Sequence, residues 1–355
     1  MRRTIIAGIG HYVPEHVETN DDLSQVMETS DAWIRERTGI QTRRFADKHK
    51  ETPASMGAKA AELAIERAGI AKEEVDFIIF ATLSPDYYFP GSGVLLQREL
   101  GLSETEIGAL DIRTQCTGFI YGLTVADQFI RSGMYKNVLL VGAEKHSMGL
   151  DFTTRGRNVS VIFGDGAGAA LLQATEDEQR GILASCLHSD GRYAEILSMI
   201  NPGSHGGYHH EKLGLEADFG YESGRYMPIF VTEKMLNDAQ LFPYMDGPAV
   251  FKFAVQKFPA AIVEVLEKAG LEPSDLDLLV PHQADLRISQ FVQKKLRLRD
   301  DQVYNNIQRY GNTTAASIPI ALSEAWEEGR VKEGDVVCLA AFGSGFTWGA
   351  NLLRW

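Results

Sequence analysis

The chain has 355 residues, of which 44% are hydrophobic and 23% are charged, and its formal net charge at pH 7 is −13. This length exceeds one ordinary hydrophobic core, so we expect two packed halves or one large α/β unit. An acidic chain does not suit general nucleic-acid binding, although a local basic patch for an acidic partner is compatible with it. No apolar run approaches the roughly 20 residues that a membrane-spanning helix needs.

The N-terminus and the cysteines both predict a cytoplasmic chain. The segment "MRRTIIAGIGHYVPEH" has only a short apolar stretch, so we interpret it as a first β-strand and not as a signal peptide. The three cysteines, Cys116, Cys186 and Cys338, lack paired spacing. They predict neither a disulfide framework nor a zinc ribbon, and they fit a reducing compartment.

Two segments share one design, which indicates an internal duplication. They are "KAAELAIERAGIAKEEVDFIIFAT", from Lys59, and "AAIVEVLEKAGLEPSDLDLLVPHQ", from Ala260. Each pattern is typical of an amphipathic helix, an Ala-Gly stop, an acidic turn and a hydrophobic strand. The Ala-Gly pairs at 68–69 and 269–270 are 201 residues apart. Because identities are few, chance similarity between two helix–strand units is the competing interpretation.

The stretch "IGALDIRTQCTGFIYGLTVADQFIRSG", residues 107–133, places Cys116 between an apolar run and a helical pattern. We expect a buried strand at 107–112, with the cysteine in or near the first turn of the following helix. A free cysteine there is either a small buried hydrophobe or a nucleophile whose pKa is lowered by the helix N-terminus. Position alone favours the first interpretation.

A second pair of similar segments begins at Cys116 and at Asn312. The run from Cys116 to Gly133 equals in length the run from Asn312 to Gly329, and both continue through a lysine into an apolar strand. If the duplication is real, Cys116 and Asn312 begin equivalent helices that face a shared site. Alternating strands and helices without a Ser/Pro-rich linker predict a layered α/β fold with halves at 1–175 and 176–355.

Residues 201–244 have weak periodicity and many Gly, His and Tyr, so we interpret them as an insertion or lid in the second half. His205, His209 and His210 lie in this segment. They could bind a metal, but no Cys, Asp or Glu stands at a ligand spacing, so we expect no metal site.

Three further features suit acyl transfer. His282 follows the hydrophobic run 276–280, at the C-terminal end of a predicted strand, where ligand sites of α/β sheets gather. Asn312 is either a helix cap or a hydrogen-bond donor. The Gly-rich segment 340–349 is either a tight turn between strands or a source of free backbone amides. Together with Cys116 they supply a nucleophile, two polar side chains and a site for an oxyanion.

Motifs along nearly the whole chain carry a resemblance to a known family: "TSDAWIRERTGIQTRR", "SPDYYFPGSG", "QCTGFIYGL", "VIFGDGAGAALL", "HSDG", "VFKFAV", "VPHQADLRI", "YGNTTAASIP" and "AFGSGFTWG". The chain resembles the β-ketoacyl-acyl carrier protein synthase III family of the thiolase fold. The resemblance implies two pseudo-symmetric halves in a five-layered αβαβα arrangement, a homodimer, and a decarboxylative Claisen condensation.

Carried onto this chain, the resemblance makes Cys116 the nucleophile that takes an acyl group from a primer thioester, usually acyl-CoA. It makes His282 and Asn312 the donors that stabilise the enolate formed when the malonyl group loses carbon dioxide. The backbone amides of Cys116 and Ser344 match the family's oxyanion hole. CoA and the phosphopantetheine-carried malonyl group are substrates, so no cofactor is expected.

The same matching implies contacts with substrate, partner subunit and carrier protein. The matched positions are Trp33, Arg37 and Arg157 for the CoA adenine and phosphates, Gly247 and Phe251 for the tunnel wall, Asp285 for the pantetheine path, Phe89 for the acyl pocket of a partner subunit, and Lys252, Arg287, Lys294 and Lys295 for a basic rim that docks acyl carrier protein.

Several positions depart from the family pattern. Asp285 stands where the family usually has Asn, and Gln115 and Thr117 flank the cysteine where small residues are common. The segment 201–244 is longer than in housekeeping members. The Gly-rich loop has Ala341-Phe342 where thiolases carry a second cysteine, which excludes that branch.

Two alternatives stay open. The first is an acyltransferase or head-to-head condensing enzyme of the same fold that uses a different acceptor. The second is a non-catalytic acyl-binding partner subunit, against which the presence of Cys116, His282 and Asn312 argues.

Overall fold

The computed structural model describes residues 2–205 and 230–355. Its strands are β1 (Arg3–Tyr12), β2 (Val17–Thr19), β3 (Thr42–Arg44), β4 (Phe77–Ala81), β5 (Gly108–Ile112), β6 (Asn137–Glu144), β7 (Gly166–Thr175), β8 (Gly181–Ser189), β9 (Leu197–Ser198), β10 (Tyr244–Met245), β11 (Leu278–Pro281), β12 (Val336–Gly343) and β13 (Thr347–Arg354). Its α-helices are α1 (Asn20–Ser24), α2 (Asp31–Thr38), α3 (Pro53–Ala68), α4 (Ser92–Glu99), α5 (Gly118–Arg131), α6 (Arg157–Ser160), α7 (Glu233–Asn237), α8 (Gly247–Ala269), α9 (Leu286–Leu296), α10 (Ile307–Tyr310) and α11 (Ser317–Glu327).

The N-terminal part of the chain, residues 3–175, builds a five-stranded sheet in the order β1–β7–β6–β4–β5. β4 runs parallel to β5 and β6, whereas β7 is antiparallel to both β6 and β1. Every residue of β4 is buried. A parallel strand covered by helices on both faces requires such a continuous apolar sequence.

The C-terminal part of the chain, residues 181–354, builds a four-stranded sheet in the order β11–β12–β13–β8. β11 is parallel to β12, and β13 is antiparallel to both β12 and β8. These strands repeat the order and directions of β4, β6, β7 and β1. The predicted pseudo-symmetry of the two halves is therefore present in the strand topology.

Helices separate and cover the two sheets. α3 and α4 pack on the outer face of the first sheet, and α8 and α9 pack on the outer face of the second. α5 and α11 lie between the sheets, where Phe119, Leu123, Ile318 and Leu322 are buried among apolar residues of both. This arrangement confirms the predicted five-layered αβαβα architecture.

The Ala-Gly stops found in the sequence end α3 and α8 as expected. Gly69 has φ of 70° and Gly270 has φ of 69°, and each caps its helix with a backbone N–H. An L-residue rarely adopts this left-handed conformation, so glycine terminates both helices at equivalent points.

The helices α5 and α11 are equivalent and both residues line one cavity, as predicted, but Cys116 and Asn312 do not occupy equivalent positions at the helix starts. A 3-10 turn at Gln115–Thr117 leads into α5, and a matching 3-10 turn at Thr314–Ala316 leads into α11. The first residue of each turn has a left-handed φ, 47° and 48° respectively. Asn312 therefore precedes the turn, whereas Cys116 lies within it. The equal run lengths are a coincidence, because α5 has 14 residues and α11 has 11.

The predicted burial of residues 107–112 is also wrong for the single chain. β5 stands at the edge of the first sheet and pairs only with β4 in the described part of the chain. None of its residues is buried, and Leu110 is 36% exposed. An apolar sequence therefore indicates a buried strand only when a neighbouring element covers it.

Only the flanks of the predicted insertion at 201–244 belong to the described residues. Residues 206–229, with His209 and His210, lie outside them. On the described flanks, β10 pairs with β9, and α7 begins at the N-cap Thr232. Within residues 2–205 and 230–355, the helices fall short of the length and apolarity that crossing a membrane would require.

Candidate active site

A cavity of about 760 Å³ takes its walls from both halves of the molecule. It brings together nine of the residues that the sequence analysis assigned to the site. They are Trp33, Arg37, Cys116, Gly247, Phe251, His282, Asp285, Arg287 and Asn312. Much of the remaining wall is apolar and includes Val250, Ala254, Phe258 and Phe342. The cavity can therefore bind an apolar chain beside a small group of polar side chains.

Cys116 lies in the 3-10 turn ahead of α5, as the helical pattern predicts, and it is 7% exposed. The preceding residue, Gln115, has φ of 47°, a strained conformation for a non-glycine residue. Gly343 of β12 lies against the cysteine, since a Cβ built at this glycine would stand 2.4 Å from the Cys116 Cβ. The sharp turn and the missing side chain hold the thiol at the cavity wall.

Burial, and to a smaller extent the nearby Glu144 carboxylate, raises the pKa of the Cys116 thiol to about 12. The backbone N–H groups of Ser344 and of Cys116 itself act in the opposite direction, because both hydrogen-bond toward the sulfur. The raised pKa of Cys116 is opposite to the lowered pKa that a helix N-terminus alone would produce. The resting group is therefore a thiol that must lose its proton during the reaction.

His282 directly follows β11, as the sequence predicts, and burial lowers its pKa to about 3. The imidazole is therefore neutral near pH 7. Its Nδ1 lies 2.7 Å from the Ser317 Oγ. Its buried Nε2 has no hydrogen-bond partner among the described residues. An unsatisfied buried nitrogen at a cavity wall is suited to contact a ligand.

The surroundings of Ser317 decide which nitrogen of His282 carries the proton. The Ser317 Oγ also accepts a hydrogen bond from the Gln283 backbone N–H, at 3.4 Å. Within the described ranges the Ser317 hydroxyl proton has no acceptor other than His282 Nδ1, so we assign the serine as the donor of this contact. Nδ1 is thus the acceptor nitrogen, and Nε2 bears the proton. The structure accordingly presents a neutral N–H donor at the cavity.

Asn312 presents a second donor. Its Oδ1 accepts a hydrogen bond from the Thr314 backbone N–H at 2.8 Å, which fixes the orientation of the carboxamide. Its Nδ2 has no protein acceptor within the described ranges, and the residue lines the cavity. Asn312 is not the cap of the following helix, because the N-cap positions are Thr313 and Ala316. Its oxygen instead fixes the backbone at the start of the turn, which leaves the nitrogen available as a donor.

Replacing Ser317 with alanine should allow His282 to adopt either neutral tautomer. Nδ1 then lacks its proton donor, so both neutral tautomers become populated and the Nε2–H donor is lost part of the time. We expect kcat for condensation to fall about tenfold, with an unchanged KM for the acyl donor. Nitrogen NMR of His282 should show the tautomer mixture directly.

The matched control is Ser289→Ala. Ser289 is also buried, but its hydroxyl has no hydrogen-bond partner among the described residues, so its removal should leave kcat and the His282 spectrum unchanged. A Ser317→Ala protein with a wild-type His282 spectrum would contradict the tautomer assignment.

The cavity mouth combines an aromatic face with two cations. The guanidinium of Arg37 lies 4.4 Å from the centre of the Trp33 ring, and that of Arg157 lies 5.4 Å from it. Arg157 does not line the cavity itself, and its Nη1 donates to the Glu28 carbonyl. An indole beside guanidinium groups suits a purine base and phosphates.

Asp285 is the N-cap of α9 and forms a two-point ion pair at the same mouth. Its Oδ1 accepts from the Arg287 backbone N–H, and its Oδ2 lies 2.7 Å from the Arg287 Nη2. The Arg287 guanidinium stands 5.7 Å from the Phe251 ring. The departure from the family's usual Asn therefore places a negative charge against a mouth cation.

The other assigned residues lie outside the cavity. Lys252 is exposed on α8, and Lys294 and Lys295 are exposed on α9, the helix that also carries Arg287. Phe89 is 81% exposed in the loop after β4 and does not line the cavity. Ser344 contributes its backbone amide beside Cys116, as the oxyanion-hole assignment requires, and its side chain donates to the Leu197 carbonyl.

Sequence reasoning missed two residues of the site, Ser317 and Glu144, whereas Gly343 belongs to the Gly-rich segment that it had singled out. Ser317 lies inside the quoted motif "YGNTTAASIP", so its motif membership was a usable signal. Glu144 is buried at the end of β6, and burial raises its pKa to about 7. It accepts hydrogen bonds from the Thr82 and Ser84 hydroxyls and so holds the turn after β4.

The two repeated halves define the thiolase fold. The buried cysteine, in a turn between the two sheets, makes the chain an acyltransferase of that fold. Residues 110–191 match the family model described as 3-oxoacyl-[acyl-carrier-protein] synthase III, and residues 266–355 match the model of its C-terminal part. These ranges contain Cys116, His282, Asn312 and Ser344.

Curated relatives extend the match to the whole chain. A β-ketoacyl-[acyl-carrier-protein] synthase III from Caldanaerobacter subterraneus subsp. tengcongensis is 42% identical over 350 residues, covering 99% of this chain and 97% of that protein. The chain therefore belongs to the β-ketoacyl-[acyl-carrier-protein] synthase III family.

Solved structures agree. The crystal structure of 3-oxoacyl-[acyl-carrier-protein] synthase III from Aquifex aeolicus VF5 is 41% identical, with a TM-score of 0.85 and coverage of 99% of this chain and 100% of that one. The priming β-ketosynthase of the R1128 polyketide biosynthetic pathway is 29% identical, with a TM-score of 0.83 and coverage of 99% and 96%.

Proposed function

We propose that this enzyme transfers an acyl group from acyl-CoA to Cys116 and condenses it with malonyl-[acyl carrier protein]. The products are a 3-oxoacyl-[acyl carrier protein], carbon dioxide and free CoA. One observation carries the proposal: a buried thiol, a neutral imidazole N–H and an oriented carboxamide line the same cavity. The names of the relatives support the same reaction.

In the first step, the Cys116 sulfur attacks the thioester carbonyl and loses its proton. The negative charge that develops on the carbonyl oxygen meets the backbone N–H groups of Cys116 and Ser344, which already point at the sulfur. The carbon–sulfur bond to CoA breaks, CoA leaves as its thiol, and an acyl-cysteine remains. The high pKa of the free thiol makes this proton transfer part of the acylation barrier.

In the second step, the malonyl thioester loses carbon dioxide. The electron pair of the broken carbon–carbon bond becomes an enolate, whose oxygen accepts hydrogen bonds from His282 Nε2 and Asn312 Nδ2. These donors bind the developing charge more strongly than the neutral carbonyl, so they lower the barrier. The enolate carbon attacks the acyl-cysteine carbonyl, and the Cys116 thiolate leaves and takes up one proton from solvent, which is the proton that the overall reaction consumes.

The mouth residues support CoA as the acyl donor. The indole of Trp33 offers a stacking face for adenine, and Arg37 and Arg157 stand beside it for the phosphates. Gly247 and Phe251 form part of the wall between this mouth and the reactive groups.

Asp285→Asn should tighten the binding of acyl-CoA. Asparagine retains an oxygen that caps α9, but it releases Arg287 from its ion pair and removes a negative charge from the mouth. We expect the KM for acyl-CoA to fall about twofold to fivefold, with kcat nearly unchanged, because an exposed ion pair contributes modestly. Steady-state kinetics with one acyl-CoA at low and high salt measures the effect.

The control is Asp301→Asn. Arg299 and Asp301 form a similar exposed pair, at 3.0 Å, away from the cavity. Its loss should leave KM unchanged. A higher KM in Asp285→Asn would mean that the carboxylate itself binds the pantetheine chain.

The carrier protein would dock on a basic surface beside the mouth, formed by Lys252, Arg287, Lys294 and Lys295. On α9, residues 287, 294 and 295 are spaced to share a face, and Phe291 lies between them with 41% exposure. Cations around an exposed aromatic ring suit an acidic helical partner.

We further propose a homodimer in the cytoplasm. The open edge of β5, with Leu110 exposed, supports pairing with a second copy. The loop carrying Phe89 is held beside this edge, because Asp111 of β5 accepts hydrogen bonds from the Ser92 and Gly93 backbones. The use of CoA thioesters and the three free cysteines support the location.

A product assay tests the proposed function against its alternatives. The enzyme is incubated with acyl-CoA, with malonyl-[acyl carrier protein] supplied or omitted, and the products are identified by mass spectrometry. We expect a 3-oxoacyl product only when malonyl-[acyl carrier protein] is present. If two acyl groups are joined, or an acyl group is transferred, without malonyl-[acyl carrier protein], the result would favour the same-fold acyltransferase or head-to-head condensing enzyme. No acylation under either condition would favour the non-catalytic partner subunit.

A further inference from the structure

Three side chains with metal-binding donor atoms meet outside the cavity, between β8 and α8. The Cys186 Sγ, a ring nitrogen of His188 and a carboxylate oxygen of Glu264 all lie within 4.8 Å of one another. Cys186 and His188 are two residues apart on β8, so both side chains point to the same face of the sheet. Glu264 reaches them from α8, which covers that face.

We propose that Cys186, His188 and Glu264 form a binding site for a divalent zinc-like cation. The thiolate, imidazole and carboxylate are the donors that Zn²⁺ takes in proteins. Three protein ligands with water in the fourth position give a tetrahedral site. None of the three lines the cavity of Cys116, so this site is separate from the proposed reaction.

The distances fit this donor set after a small adjustment. Donors on one tetrahedral zinc ion lie roughly 3.3–3.6 Å apart, given bond lengths of about 2.0–2.3 Å. The His188 Nε2 and Glu264 Oε2 stand 2.6 Å apart in a hydrogen bond, so they must separate slightly. The other donor pairs, within 4.8 Å, close by at most about 1.5 Å.

Neighbouring groups already orient two of the ligands. The Trp348 ring stacks on the His188 ring at 5.3 Å, which fixes the imidazole plane. The Lys268 ammonium lies 2.9 Å from the Glu264 Oε1, and it also donates to the Ser185 carbonyl. Lys268 therefore holds one carboxylate oxygen and leaves Oε2 directed at His188. Such outer contacts fix ligand geometry at metal sites.

Access and proton balance are also compatible with a cation. Cys186 is buried, but about a third of the His188 and Glu264 side chains is exposed, so the ion can enter from solvent. A metal takes cysteine as the thiolate, so binding releases the thiol proton.

The sequence analysis expected no metal site, because it searched for ligands at short spacing. Cys186 and His188 make up only one of the two closely spaced ligand pairs that a usual zinc motif has. Glu264 lies on α8, 76 residues after His188. Only the packing of α8 against β8 brings the third donor to the strand.

Titration with Co²⁺ and Zn²⁺ alone tests the site on the full-length protein after chelator treatment. The Cys116→Ala background is used, so that the active-site thiol cannot contribute to the signal. We expect one equivalent of Co²⁺ to produce a thiolate charge-transfer band in the near ultraviolet, and Zn²⁺ to displace it. Cys186→Ser should abolish the band, and His188→Ala should weaken Zn²⁺ binding by calorimetry at least about tenfold.

The matched control is Cys338→Ala, which removes another fully buried cysteine of the same sheet and should keep the band and the affinity. Absence of a charge-transfer band, or a band that survives in Cys186→Ser, would overturn the proposal. Circular dichroism of each variant separates loss of the site from loss of the fold. The outcome is independent of the proposed condensing activity, because turnover is not the readout.

Discussion

Replacing Cys116 with alanine should abolish formation of the 3-oxoacyl product, with kcat lowered at least about a thousandfold. The variant lacks the sulfur that accepts the acyl group, and no other described cysteine lines the cavity. The fold should survive, since the lost thiol makes no packing contact that a methyl group cannot largely replace. Turnover of acyl-CoA with malonyl-[acyl carrier protein], followed by mass spectrometry, measures the loss.

The same variant should still decarboxylate malonyl-[acyl carrier protein], because His282 and Asn312 remain in place. Cys338→Ala serves as the control, since Cys338 is fully buried within β12 and should be dispensable for turnover. Condensation by Cys116→Ala at a rate near that of the wild type would show that the acyl group is carried elsewhere.

Replacing His282 or Asn312 with alanine should remove decarboxylation while leaving the acylation of Cys116 largely intact. Each side chain offers one donor to the enolate oxygen, and loss of one such donor typically lowers the rate about 100- to 1000-fold. We therefore expect the acyl-enzyme to form and then accumulate without turning over. Release of carbon dioxide and the mass of the acylated protein, measured together, separate the two steps.

His16→Ala is a suitable control for the histidine variant. His16 is exposed and pairs with Glu18 far from the cavity, so both steps should proceed normally. If His282→Ala released carbon dioxide normally but failed to become acylated, the assignment of the imidazole to the second step would be wrong.

Much of the fold could be predicted from the sequence because the signals for helix ends and strand ends are local. The Ala-Gly stops at 68–69 and 269–270 predict helix ends, since only glycine adopts the required φ readily. The position of His282 directly after an apolar run predicts a side chain at a strand end. Because the two halves have equivalent strands, the side chains that follow these strand ends lie in one region of the molecule.

Other features depend on packing between distant segments, which a single sequence does not display. The pKa of Cys116 follows from burial and from Glu144, not from its place at a helix start. The proton position on His282 depends on Ser317, 35 residues away. The exposure of β5 results from its place at a sheet edge, where apolar residues remain uncovered in the single chain.

The false equivalence of Cys116 with Asn312 has a similar cause. Counting residues from helix end to helix end assumes that both helices have one length, and α5 is three residues longer than α11. The backbone shows the true correspondence through the left-handed φ at Gln115 and Thr314. Such a conformation is invisible in a sequence when the residue is not glycine.

The most direct test of this mechanism is a single-turnover chase followed by peptide mass analysis. The enzyme is mixed with one equivalent of acyl-CoA and digested before and after addition of malonyl-[acyl carrier protein]. Our account predicts that the acyl mass first appears on the peptide containing residue 116 and then leaves it as an equal amount of 3-oxoacyl-[acyl carrier protein] forms. An adduct on another residue, or one that persists after the chase, would contradict it.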